Sequence, residues 1–174
     1  MVQDEVRWLL EAIKTNWPAA WPTDENGDPV QARIHRNEPE VLETGERTLE
    51  RELTKWNAIG ATLNNREPTP VGDEYNHRVE TTVSIRFEGM TSQSGEFGHI
   101  DSSDHFEKLV RYAQHAIAQE RSYPTVEDVD DDPIGSVAYH TISPPENEED
   151  LSVEDEDYFR RDWEHRFIGY ANQP

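Results

Sequence analysis

The sequence predicts an α+β domain in which two main helices pack on one face of a mostly antiparallel sheet. Three observations carry that prediction. Apolar residues recur at helical spacing near the start and near residue 110. The segment Tyr75 to Phe87 alternates as a strand does, and a second alternating segment follows Tyr158. The whole chain, 1–174, is expected to form one such domain, with acidic loops at about 124–134 and 143–157.

In chain order, Val6, Leu9, Leu10, Ile13 and Trp17 make an apolar stripe for a helix from Val2 to Trp17. Asp4 and Glu5 fall in its first turn, where the helix dipole favours negative charge. Pro18 ends it. Residues 18–29 contain three prolines and Asn26-Gly27, so they read as a loop anchored by Trp21, and a strand follows from Val30 to Arg36. Between Glu46 and Leu63 the pattern turns from helical to alternating, which places a strand in its second half. Pro68, Pro70 and Gly72 signal the turn of a hairpin. The long strand that follows turns Tyr75, His77, Val79, Thr81, Val83, Ile85 and Phe87 to one face.

Gly89 to Gly98 reads as a loop of small residues. Asp101 or Ser102 then caps a helix reaching about Arg121, with Phe106, Leu109, Val110, Ala113, Ala116 and Ile117 as its stripe. A short strand from Gly135 to Ile142 lies between the two acidic segments. The last strand sets Phe159, Trp163 and Phe167 on one face, with Arg161 and His165 between them. Its other face carries Tyr158, Arg160, Asp162, Glu164, Arg166, Ile168 and Tyr170, an arrangement suited to an interface.

The charge is the strongest compositional signal. Asp and Glu total 37 against 16 Lys and Arg, a formal charge of -21, and only three of the bases are Lys. Carboxylate excess with scarce Lys is the pattern of proteins adapted to concentrated salt. In molar salt the Debye length is about 3 Å, so surface carboxylates repel one another little. Such acidity argues against direct binding to nucleic acid, which needs clustered Lys or Arg. Between Arg121 and Arg160 there are thirteen Asp or Glu and no base.

The chain contains no Cys, which removes disulfides, thiolate metal sites and Cys nucleophiles. No apolar run is long enough for a signal peptide or a membrane span, so a cytoplasmic site of synthesis is expected. The seven His residues show no metal-ligand spacing, and Asp128 to Asp132 lack the Gly and the distal Glu of a calcium loop. There is no Gly-x-Ser-x-Gly and no phosphate-binding loop. The expectation is a protein that is not an enzyme, with no catalytic residues, metal or cofactor.

Three features together resemble the tail terminator, or tail completion, proteins of long-tailed phages and haloarchaeal tailed viruses. They are the first helix Val2 to Trp17 with its irregular linker, the long strand Tyr75 to Gly89 leading through a loop to a helix, and the aromatic, Arg-rich final strand from Tyr158 to Phe167. The resemblance implies a ring of copies, typically six, that caps the tail tube and joins the head connector or completion protein. Viral DNA would pass through the ring without specific binding, with no membrane involved. The ring would assemble in the host cytoplasm at high salt and reside in the virion. Candidate contact residues are Trp56, Tyr75, His77, Arg78, Phe159, Arg160, Arg161, Trp163 and Arg166. Three alternatives stay open: another neck component, a non-viral acidic module or DNA mimic that recognises a basic protein, and a hydrolase with a His and carboxylate metal site.

Overall fold

The computed structural model describes residues 4–16, 32–36, 57–90, 100, 102–126, 136–153 and 158–172. Helix α1 (Glu5–Asn16) is followed by β1 (Ala32–Arg36), β2 (Asn57–Val71), β3 (Asp73–Met90) and helix α2 (Ser103–Gln119). Strands β4 (Thr125–Val126), β5 (Val137–Ile142), β6 (Glu146–Asp150) and β7 (Tyr158–Asn172) complete the chain. The sheet order is β1-β2-β3-β7-β5-β4, with β6 also on β7. Every pairing is antiparallel except β1 with β2. This is the expected α+β class.

Local chemistry sets the helix ends. The Asp4 carboxylate accepts from the Arg7 N–H at 2.7 Å and so caps α1. The Ser102 hydroxyl accepts from the His105 N–H at 3.2 Å and caps α2. The predicted stripe of α2 is buried from Phe106 to Ile117, and that of α1 from Val6 to Ile13. Trp17 and the expected loop with Trp21 lie outside the described residues, as do residues 91–98 of the loop expected from Gly89 to Gly98 and most of the first acidic segment; Gly89 and Met90 belong to β3 instead.

The helices pack together over the face of the sheet that carries Val79, Thr81, Val83, Ile85 and Phe87. Facing residues of β7 are in register with them: Trp163 lies beside Ile85, and Phe167 beside Thr81. Ring edges lock the layers, with Phe87 against Phe106 at 5.3 Å and Trp8 against Phe167 at 5.7 Å. Two side chains stitch α1 to α2 and the residues after it. The Trp8 indole donates to the Ser122 carbonyl at 2.7 Å, and the Asn16 amide donates to the Ala116 carbonyl at 3.2 Å.

Two expectations are corrected. Pro68 and Pro70 do not form the hairpin turn, because β2 continues through them to Val71 and the reversal is made at Gly72, whose φ of 77° suits glycine. They sit beyond the stretch that β1 covers, where β2 pairs only with β3 among the described strands and one side of it is an edge. The second acidic segment is not simply a loop, since Glu146–Asp150 pairs with β7 as β6.

Candidate assembly surface

The alternation of β3 and β7 sends one set of side chains to the core and the other to the opposite face of the sheet. That outer face is crossed by a chain of ion pairs. Arg78 of β3 donates to Glu80 at 3.2 Å, and Glu80 accepts from Arg166 of β7 at 2.8 Å. The Arg166 guanidinium also binds Glu146 of β6 through two parallel bonds of 2.7 Å. Four charges on three strands are thus connected. Hydrogen bonds from Arg166 hold the Glu80 and Glu146 carboxyls below the usual range. All four groups are partly exposed, so the pairs contribute at most about 1 kcal/mol each.

Nearer the start of β7 the outer face is more enclosed, with Arg86, Glu88 and Tyr158 buried and Arg160 and Asp162 half-buried. Asp162 accepts from Arg160 at 2.7 and 3.0 Å and from Arg86 at 3.3 Å. The Tyr158 hydroxyl donates to Glu88 at 2.6 Å, and burial together with the Glu88 charge raises its phenol. Between these two networks lies a polar cleft of about 250 Å³, lined by Thr62, Ser84, Arg86, Glu149, Asp162 and Glu164 among others. Glu164 accepts from Asn147 at 2.8 Å and from Asn64 at 3.3 Å. At the other end of the face Tyr170 is half exposed, and its ring stacks on His140 at 5.3 Å.

The nine expected contact residues are divided by this geometry. Arg78, Arg160 and Arg166 lie on the outer face, each already in an ion pair. Arg161 points to the core side, where it binds Glu107 of α2 and Glu148 of β6, the latter at 2.6 Å. His77 is half-buried opposite Pro70 and Ala171. Phe159 and Trp163 need correcting as contact residues: both are buried in the chain's own core, Phe159 against Phe106 at 5.4 Å. Tyr75 belongs to β3, but its side chain is outside the described residues, and Trp56 is wholly outside them. Asn64 and Asn147 belong to this face without any signal in the sequence, whereas Glu164 and Tyr170 were placed on the interface-like face of the last strand but not among the nine.

A second cleft, also of about 250 Å³, lies between the end of α2 and the link from β5 to β6, and His165 lines it. The His165 Nε2 accepts from the Trp163 indole at 2.9 Å, which leaves the proton on Nδ1, facing the Ser143 carbonyl at 3.0 Å. Burial lowers the pKa of this imidazole. In the unfolded chain it would titrate near the ordinary value of about 6.5. Its contribution to stability is therefore complete above that pH and falls as pH drops toward the folded pKa, because the unfolded chain takes up the proton first. Stability lost between about pH 7 and about pH 5 should be smaller in His165→Gln than in the parent protein, as measured by urea unfolding. Equal losses in both proteins would remove His165 from the pH response.

Among the described residues, no three His, Asp or Glu side chains are grouped to hold a metal ion, and no helix is long and apolar enough to cross a membrane. No protein-family model matches the chain, and no curated protein matches it.

Proposed function

We propose that this chain is a structural assembly subunit of a virus neck or tail, a ring-forming tail terminator that caps the tail tube and joins it to the head connector. The observation that carries the reading is the outer face of β3, β7 and β6. It is an ordered, partly exposed array of ion pairs that runs from Arg78 to Glu146, with the exposed Tyr170 beside it. Such a face offers fixed charges and an aromatic anchor to another protein surface. The first helix, the long strand leading to a second helix and the long final strand are the features on which the resemblance rests, and each is a regular element of the fold.

The charge of -21 suits the same role. A ring lined with carboxylates repels phosphate and lets DNA pass without sticking. Scarce Lys suits assembly in concentrated salt. The test is negative-stain imaging of the protein mixed with the tail tube protein of the same virus in molar KCl. Rings seated at tube ends, with tube growth stopped, are expected. Tubes that lengthen unchanged with bare ends would contradict the proposal, and rings bound only to the head connector would favour a connector adaptor.

A further inference from the structure

Trp163 and His165 make a contact that only one protonation state allows. The indole nitrogen can donate but not accept, and it points at the His165 Nε2 from 2.9 Å. That ring nitrogen is therefore an acceptor. The one proton of the neutral imidazole sits on Nδ1, where the Ser143 carbonyl accepts it at 3.0 Å. Both side chains are buried. A second proton could go only to Nε2, and there it would face the indole N–H. Two donors at that distance repel, and a buried donor without an acceptor is costly. Protonation of His165 and its bond from Trp163 exclude each other.

The two rings differ in where they can go. Trp163 lies beside Ile85 of β3 within the apolar core, which holds it in place. His165 has open space on one side, because it lines the cleft of about 250 Å³ between the end of α2 and the link from β5 to β6. The mouth of that cleft includes the exposed Arg121, Pro144 and Pro145, so water reaches it and can solvate a charge that the core cannot. The charged and titratable groups around the imidazole are few. Glu120, Arg121 and Tyr123 line the cleft at the end of α2. Glu146 of β6, shared with Arg166, favours the protonated ring. Val83 of β3, which flanks His165 in the sheet, carries no charge, and neither does Gln114 of α2.

We propose that His165 is a two-position acid switch: neutral, it is the acceptor that locks the Trp163 indole, and protonated, it turns out into the cleft and frees the indole N–H. The Ser143 carbonyl loses its donor in the second position. Ser143 keeps its two bonds of 2.8 Å to Arg166, so the link stays on β7 and the change is confined to the cleft. The cleft, open near neutral pH, is thus filled from within in acid. Burial disfavours the charged ring, which sets the change below the ordinary imidazole value of about 6.5. The inference is independent of the assembly reading above.

The test follows the Trp163 indole N–H of the full chain in molar KCl by proton–nitrogen correlation NMR from about pH 8 to about pH 5, with Trp163→Phe identifying the signal. The signal should move upfield with the same midpoint as the His165 ring carbons, and its exchange with solvent should speed up about tenfold. In His165→Gln, whose amide oxygen can accept from the indole at every pH, the signal should stay where it is. Ala118→Trp, a substitution at an exposed residue of the cleft wall, should lower the His165 midpoint by taking up the space the ring needs. If His165→Gln does not fold, the matched midpoints in the parent chain and in Ala118→Trp carry the test. An indole signal that stays fixed while His165 titrates would overturn the switch, and so would a His165 that remains neutral throughout or a signal that moves equally in His165→Gln. An unchanged midpoint in Ala118→Trp would overturn the cleft as the place the ring goes.

Discussion

Gly169→Ala should cost about 3 kcal/mol of stability. Gly169 lies in β7 opposite Tyr139, where β5 shifts register between Tyr139 and Thr141. A Cβ there would stand 2.3 Å from the Ala138 carbonyl oxygen and 2.7 Å from the Tyr139 Cα. Both are backbone atoms, so no side-chain rotation relieves the clash. Strand β5 would have to move away from β7, drawing the Tyr139 hydroxyl from its partners in the core. Gly60→Ala is the control, because a Cβ there meets nothing within 4 Å. Chemical unfolding in molar KCl measures both. A loss below about 1 kcal/mol for Gly169→Ala would mean that the two strands are not so closely apposed.

Arg66→Met is expected to cost about 3–5 kcal/mol. Glu5, in the first turn of α1, is completely buried, and its Oε1 accepts from Arg66 at 2.7 Å and from the Tyr139 hydroxyl at 2.5 Å. Thr81 closes the group through the same hydroxyl at 2.6 Å. The four residues come from α1, β2, β3 and β5, so the cluster fixes the first helix to the sheet. Burial and the Glu5 charge raise the Tyr139 phenol, which keeps it a donor. Without Arg66 the carboxylate is left in the core with only neutral donors, and that uncompensated charge is the source of the cost. Adding Glu5→Gln to Arg66→Met should restore most of the stability, since a neutral amide needs no counter-ion. If the double variant is no more stable than Arg66→Met alone, the charge pairing is not what the cluster supplies.

Elements with a periodic apolar face were legible in the sequence. The stripe of α2 and the alternation of β3 depend on residues close along the chain, and both are buried as expected. The final strand was legible as a strand, but the destination of its aromatic face was not. Phe159, Trp163 and Phe167 have the same spacing whether they meet a helix or a partner, and here they meet the core, with the Trp163 indole satisfied by His165. Strand β6 could not be read at all, because its pairing depends on Arg161 and Arg166, 13 and 20 residues along the chain from their partners Glu148 and Glu146. Glu5 misled for a similar reason. Its place in the first turn suits the helix dipole, while its burial is decided by Arg66 and Tyr139, far along the chain. Pro68 and Pro70 carry a strong turn signal that edge position overrides.

The outer face was half legible. Arg78, Arg160 and Arg166 were singled out from an Arg-rich strand and its neighbour, and they do lie there. Their partners Glu80, Glu146 and Asp162 were hidden among 37 acidic residues, where any pair is equally plausible without a register.

We propose that this chain works by assembling with copies of itself. Its most direct test is the mass of the purified chain in molar KCl, by light scattering across a range of concentrations with the tail tube protein absent and then present. A discrete species of about six chain masses, formed alone or on addition of the tube protein, is the expected result, whereas a single chain mass under both conditions would contradict it.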